Sequence, residues 1–144
     1  MPKTRTAVEL ALRALQSRDR SRAELDARLR ERGVAADERQ GALESLVRVG
    51  YVNDERLARA RAATLAERPS GDLLIRADLE GRGIDPELVD RALAELEPER
   101  LRAARVTARR GRGQRTARYL AGRGFGSEAL EAVFVAVDGD GEVE

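Results

Sequence analysis

The chain has 144 residues, of which 37% are charged, yet its formal net charge is only +1. It contains no cysteine and no histidine, which excludes disulfides, thiol nucleophiles, Ser-His-Asp arrangements and the usual zinc sites. No apolar run approaches the length of a membrane span, and no phosphate-binding glycine loop is present. We therefore expect a cytoplasmic protein that is not an enzyme, with no catalytic residue, no cofactor and no metal.

Helix start and stop signals predict nine helices in chain order. The clearest starts are a capping box at Ser21–Glu24 and the segment Asp85-Pro86-Glu87, which has a capping aspartate and proline at the first helical position. The expected limits are Thr6–Ser17, Ser21 to Gly33, Asp37 to Gly50, Asn53 or Asp54 to Pro69, a fifth helix ending at Gly83, Asp85 to Leu96, Pro98 to Gly111 or Gly113, an eighth ending at Gly124, and Ser127–Val137. No alternation typical of strands is seen, so we expect an all-α fold.

A five-residue signature, L-x-x-R-G, occurs three times, at residues 29–33, 79–83 and 120–124. It is typical of a helix ending. The leucine is the last core-facing residue, the arginine favours the negative end of the helix dipole, and the glycine takes the left-handed conformation. In each case one apolar residue follows and is expected to close against the final turn. Apolar residues then recur 9, 10 and 13 positions after each glycine, which indicates a tandem repeat.

The nine helices fall into three groups of three, with the signature on the middle helix of each group. We expect repeats at residues 1–50, 51–97 and 98–138, followed by an acidic disordered tail at 139–144. Each unit has a narrow apolar stripe that it could not bury well alone. The units should therefore stack into an elongated, curved array with a long surface rather than a small-molecule site.

Charge is unevenly distributed along the chain. Residues 100–123 contain nine arginines and no acidic residue, and residues 124–144 contain six acidic residues and no basic one. We expect Arg102, Arg105, Arg109 and Arg112 to lie on one side of the seventh helix and to contact an anionic partner or DNA, with Arg115 and Arg118 secondary. In the alternative interpretation, the acidic ninth helix and neighbouring repeats neutralise these arginines.

The segment Gly50–Ala58 also has two interpretations. In the local one, Gly50 ends a helix, Tyr51 and Val52 pack against it, Asn53 or Asp54 caps the next helix, and the following apolar residues enter the core. In the functional one, Tyr51, Asp54 and Arg56 line a partner surface between the first two repeats.

Several segments resemble the RecX regulatory protein family. They are Arg18–Leu25 with Arg28-Leu29 and Arg32-Gly33, then Gly50–Ala58, then Gly71, Ile75, Leu79 and Arg82–Ile84, and finally Arg123–Phe125. The resemblance extends over residues 11–137, and Gly50–Ala58 is its most specific part. Leu57 stands where the family often has phenylalanine.

The resemblance implies a modulator of the RecA recombinase, acting in DNA recombination, repair and the SOS response. Such a protein would lie in the groove of the RecA–single-stranded DNA filament and inhibit ATP hydrolysis, strand exchange and co-protease activity. No membrane and no small-molecule substrate are implied. A helix-turn-helix DNA-binding regulator and a helical scaffold for another protein remain alternatives, although the helices at 37–49 and 85–96 are too acidic for recognition helices.

Overall fold

The computed structural model describes the backbone of residues 5–141 and the side chains of residues 5–134. All regular structure in that part of the chain is α-helical, as predicted. In order, the helices are α1 Ala7–Ser17, α2 Arg22–Glu31, α3 Ala36–Arg48, α4 Asp54–Glu67, α5 Asp72–Gly81, α6 Pro86–Ala94, α7 Glu99–Arg110, α8 Gln114–Gly122 and α9 Ser127–Gly141.

The helices pack as three consecutive units, α1–α3, α4–α6 and α7–α9. Each unit encloses its own apolar cluster. The clusters are centred on Leu25 and Leu29 in unit 1, on Ile75 and Leu79 in unit 2, and on Leu120 with Phe125 in unit 3. Among the described side chains each cluster lies within one unit, except that Val52, at the start of the predicted second repeat, belongs to the cluster of unit 1. Each unit therefore buries most of its apolar stripe by itself. The third helix of each unit covers the stripe.

The three L-x-x-R-G segments end the middle helices in the same way. Gly33, Gly83 and Gly124 have φ of 80°, 75° and 84°. The amide of the residue after each glycine donates to the carbonyl of the signature leucine, at 3.1, 3.2 and 3.0 Å. These bonds are the mark of a Schellman ending, and the leucines are at most 1% exposed. The predicted roles of the leucine and the glycine in the signature are confirmed.

Some helix limits differ from the prediction. Asp37 lies in the first turn of α3, which is preceded by Ala35 without a side-chain cap. Ser127 is the first residue of α9 rather than its cap, and α9 is described to Gly141, beyond the expected start of the tail at 139. The side chain of Val137 and residues 142–144 lie outside the described part.

Neighbouring units meet where the C-terminal turn of one middle helix touches the N-terminus of the preceding middle helix. The hydroxyl of Ser21, which caps α2, donates to the carbonyl of Arg82 at the end of α5. The amides of Gly71 and Leu73, at the start of α5, donate to the carbonyls of Arg123 and Gly124 at 2.8 and 3.0 Å. The positive end of one helix dipole therefore faces the negative end of the next.

The contact between units 2 and 3 leaves no space for a side chain at residue 71. A Cβ added to Gly71 would lie 2.3 Å from the carbonyl carbon and oxygen of Gly124. Backbone atoms on both sides of the contact would have to separate. At Gly81, within α5, an added Cβ would meet nothing within 4 Å.

We predict that Gly71→Ala lowers the free energy of unfolding by about 2 kcal/mol, because the junction must open to admit the methyl group. Hydrogen exchange at the Leu73 amide should accelerate, and urea denaturation gives the free energy. The control Gly81→Ala should be neutral or stabilising by up to about 1 kcal/mol. Equal stability of the two variants would contradict the close contact.

An ion-pair cluster connects α4 and α5 inside unit 2. Arg61 donates to both carboxylate oxygens of Asp78, at 3.1 and 3.0 Å, and Arg82 Nε donates to Asp78 at 3.0 Å. The hydrogen bonds from Arg61 hold the pKa of Asp78 below its ordinary value, against the effect of burial, and Arg82 lowers that pKa further. The folded state therefore favours the ionised carboxylate.

We predict that Asp78→Asn lowers the free energy of unfolding at pH 7 by about 1.5–3 kcal/mol. Because the folded pKa lies below the unfolded value of about 3.9, this stabilisation is present above about pH 4 and is lost as pH falls through the folded pKa. The difference in free energy of unfolding between Asp78→Asn and wild type should be smaller at about pH 3 than at pH 7. Asp90→Asn, whose carboxylate is 65% exposed in its pair with Arg76, should cost less than about 1 kcal/mol. A loss at Asp78 independent of pH would contradict this account.

Candidate partner-binding surface

Arg102 is buried where units 2 and 3 meet. It is 7% exposed, and its guanidinium donates to the carbonyls of Glu97 and Ser70 at 2.9 and 2.7 Å and to the carboxylate of Asp72. The ring of Phe125 lies 5.9 Å from its guanidinium carbon. In this structure Arg102 joins unit 3 to the start of α5, and its contact with a partner stays a prediction.

A second arginine of the basic segment, Arg123, belongs to the same junction. It donates to the carbonyls of Arg68 and Pro69 at 2.7 and 3.1 Å and to the hydroxyl of Ser70 at 2.8 Å. Glu99 accepts from the amides of Asp72 and Gly126 at 2.6 and 2.7 Å. Sequence reasoning missed this network, since Asp72 and Glu99 look like ordinary first-turn acids.

Three exposed arginines line one groove between units 2 and 3, which we call the junction groove. Its volume is about 410 Å³, and it has an apolar floor that includes Ala66, Leu96 and Val106. The arginines are Arg105, Arg109 and Arg110, all on the last half of α7. Two glutamates, Glu67 and Glu97, also line the groove, so arginines outnumber acids on its rim. A mainly cationic rim over an apolar floor suits a partner that offers acidic and apolar groups together.

The electrostatics of the groove are not uniform. Arg105 is neutralised in part by Glu97, whose Oε1 lies 2.6 Å from its Nη2. The guanidinium carbon of Arg110 lies 3.7 Å from the centroid of the Tyr119 ring. Arg109 makes no ion pair with any described side chain. Sequence reasoning missed Arg110, which directly follows Arg109 in the basic segment.

The remaining predicted arginines lie elsewhere. Arg112 follows the end of α7, where Gly111 turns the chain with φ of 95°, and it lines a different hollow of about 280 Å³ with Arg100 and Val133. It therefore does not share a side with Arg105 and Arg109, and that prediction was wrong. Arg115 and Arg118 are exposed on α8 outside the junction groove. No ion pair with Glu128 or Glu131 occurs among the described side chains.

The segment Gly50–Ala58 mostly follows its local interpretation. Gly50 has φ of 86°, Val52 is 2% exposed, and Asn53 Oδ1 accepts from the amide of Arg56 at 3.0 Å. Tyr51 is the exception, since it is 60% exposed and does not pack against the helix.

Two of the polar candidates in this segment also have structural partners. Asp54 accepts from the amide of Arg22 at 2.9 Å and so satisfies a donor at the start of α2. Arg56 donates to the carbonyl of Gly50 at 3.1 Å while remaining exposed. Tyr51 and Arg56 therefore stay available at the surface, and Asp54 connects units 1 and 2.

Within the described residues, no group of three or more acidic side chains is placed to hold a metal ion. The helices of this part are also too short or too polar to cross a membrane.

Comparison with known proteins identifies the family. Residues 53–93 match the family model described as RecX, second three-helix domain. The chain is 35% identical over 140 residues to a protein named Regulatory protein RecX from Xanthomonas axonopodis pv. citri, covering 90% of this chain and 86% of that one. It belongs to the RecX regulatory protein family. A protein of the same name from Trichlorobacter lovleyi is 33% identical over 139 residues, covering 86% of this chain and 90% of that one.

Solved structures agree on the fold. The crystal structure of RecX from Lactobacillus salivarius superimposes with a TM-score of 0.79 at 19% identity, covering 92% of this chain and 94% of that chain. A second RecX crystal structure gives a TM-score of 0.75 at 21% identity, over 88% of this chain and 70% of that one. These structures support the helical array as the fold of this chain.

We predict that Arg102→Met lowers the free energy of unfolding by about 3 kcal/mol, because it leaves Asp72 and the Ser70 carbonyl without their cationic donor. Arg109→Met is the matched control on the same helix and should change the free energy of unfolding by less than about 0.5 kcal/mol. Urea denaturation of both proteins gives the comparison. If the two variants were equally stable, Arg102 would not hold the junction.

Proposed function

We propose that this protein binds the RecA–single-stranded DNA filament and inhibits RecA ATPase, strand exchange and co-protease activity in the cytoplasm. Similarity along most of the chain to proteins named Regulatory protein RecX supports a regulatory role. The observation that carries the contact surface is the junction groove, where Arg109 and Arg110 are exposed over an apolar floor.

The linear arrangement of the units supports a partner that repeats. Unit 1 contacts unit 2 and unit 2 contacts unit 3 through the helix-end bonds, while no hydrogen bond or ion pair among the described residues joins units 1 and 3. Successive units therefore present their surfaces side by side. A filament offers equivalent sites at regular intervals, so several units can engage it at once.

Binding by this surface would be electrostatic in part. Guanidinium groups form bidentate bonds with carboxylates and with phosphates, so Arg109 and Arg110 can contact acidic side chains of RecA or the DNA backbone. Tyr51 and Arg56 lie at the surface near the junction of units 1 and 2 and would extend the contact. Inhibition would follow from bridging filament subunits, without turnover of a substrate.

The helix-turn-helix alternative is disfavoured by the charges at the relevant helix starts. Asp37 and Glu38 lie in the first turn of α3, and Glu87 lies in the first turn of α6. The residues that a recognition helix would direct at bases and phosphates are therefore acidic. Binding of the purified protein to a labelled DNA duplex tests this alternative.

We predict that Arg109→Glu/Arg110→Glu weakens inhibition of RecA ATPase on single-stranded DNA by about tenfold or more and flattens its salt dependence. The matched control is Arg48→Glu/Arg91→Glu, which makes the same charge change at exposed positions on α3 and α6. The control should inhibit nearly as well as wild type, and circular dichroism should show both variants folded.

Wild-type protein in stoichiometric excess that left RecA ATPase and strand exchange unchanged would refute the proposed function. Equal loss in the two double variants would refute the junction groove as its contact surface. Sequence-specific binding to duplex DNA would instead favour the helix-turn-helix alternative.

A further inference from the structure

Unit 1 contains a cavity that the proposed function does not use. It lies between α1 and α2, has a volume of about 580 Å³, and is separate from the junction groove. Its floor is aliphatic and is formed by Leu10, Ala11, Ala14, Leu25 and Leu29. Four arginines line it as well, and all four are exposed: Arg5, Arg13, Arg28 and Arg32.

No carboxylate lines this cavity, and none of its four arginines forms an ion pair with a described side chain. Glu9 lies on the outer face of α1 in a neighbouring hollow with Arg5 and Arg13, but it is not paired with either. In the sequence, the residues before Arg5 add Lys3 and no acid.

A further guanidinium lies beside the cavity, since Arg20 donates to the carbonyl of Ala14 at 3.1 Å. Burial is the main cause that lowers the pKa of Arg20 below its ordinary value; the charges of Arg18 and Arg28 lower that pKa further, and Glu24 opposes them. The cavity thus combines an apolar interior with an uncompensated positive rim.

We propose that this cavity binds an acidic segment of a partner protein, with one apolar side chain inserted between flanking aspartates or glutamates. The apolar side chain would be buried against Leu25 and Leu29, and the carboxylates would pair with the arginines of the rim. This site is additional to the junction groove and does not depend on it.

The lining favours a peptide over single-stranded nucleic acid. Single-strand binding sites stack bases on aromatic side chains, and no aromatic residue lines this cavity. An aliphatic floor is instead suited to a leucine-like or phenylalanine-like anchor, as in grooves that bind the apolar face of a partner segment. The planar arginine forks match carboxylates in bidentate geometry.

The test uses the purified full chain and a fluorescein-labelled acidic peptide in which aspartate and glutamate alternate with leucine. Binding is followed by fluorescence anisotropy, so no filament is needed. Two comparison probes are a peptide with every leucine replaced by serine and a labelled single-stranded oligothymidylate. We expect the leucine peptide to bind about tenfold tighter than the serine peptide, since only the former fills the floor.

Two variants locate the site. Arg13→Glu/Arg28→Glu should weaken peptide binding about tenfold or more, while the control Arg48→Glu/Arg91→Glu should weaken it much less. Ser17→Trp places a bulky side chain at an exposed position of the lining without changing charge and should also weaken binding about tenfold.

Equal weakening by the two charge variants, or normal binding by Ser17→Trp, would mean that the peptide is held by general electrostatics and would overturn the proposal. Preferred binding of the oligothymidylate with loss in Arg13→Glu/Arg28→Glu would overturn it in favour of nucleic acid. Because inhibition of RecA is measured separately with Arg109→Glu/Arg110→Glu, failure of one proposal leaves the other unaffected.

Discussion

The carbonyl groups at the end of one middle helix bond to donors at the start of the preceding middle helix, and this contact holds the three units in order. A helix end leaves carbonyls without partners and a helix start leaves amides without partners, so each satisfies the other. Gly71 and Leu73 supply amides to Arg123 and Gly124, and Ser21 supplies its hydroxyl to Arg82. Since every unit buries its own apolar cluster, the units are joined mainly by polar groups: the helix ends, and the side chains of Arg102, Arg123 and Glu99.

In units 2 and 3 the L-x-x-R-G signature both ends its helix and contacts the preceding unit. In unit 1 it only ends its helix. A Cβ added to Gly83 or Gly124 would lie 2.5 Å from an atom of the preceding unit, whereas one added to Gly33 would meet nothing within 4 Å. The signature arginine follows the same division. Arg123 bonds to carbonyls of unit 2, but Arg32 is exposed and lines the cavity of unit 1. Among the described residues the Arg32 side chain makes no hydrogen bond and no ion pair, so this copy of the arginine is available for a different contact.

The helices, their grouping and the glycine endings could be predicted from the sequence, because they depend on local patterns that occur three times along the chain. The sequence was insufficient for the junctions. Leu29, Leu79 and Leu120 could be placed in a core by periodicity alone. Nothing local distinguishes Arg102, which is buried, from Arg109, which is exposed two turns further along nearly the same face of the helix. That distinction depends on where the carbonyl of Ser70 and the carboxylate of Asp72 lie in another unit, which periodicity does not encode.

A count of charges therefore misassigns the basic segment at residues 100–123. Arg102 and Arg123 donate to backbone carbonyls of unit 2, and Arg102 also pairs with Asp72. These two arginines therefore set the position of unit 3 against unit 2. Glu97 shows how closely the two roles lie, since its carbonyl accepts from Arg102 while its carboxylate pairs with Arg105 at the edge of the junction groove. Glu97 thus links the exposed Arg105 to the buried Arg102. A change that loosens the junction will also move the groove, so binding defects in this region have to be separated from stability defects by measuring both on the same variant.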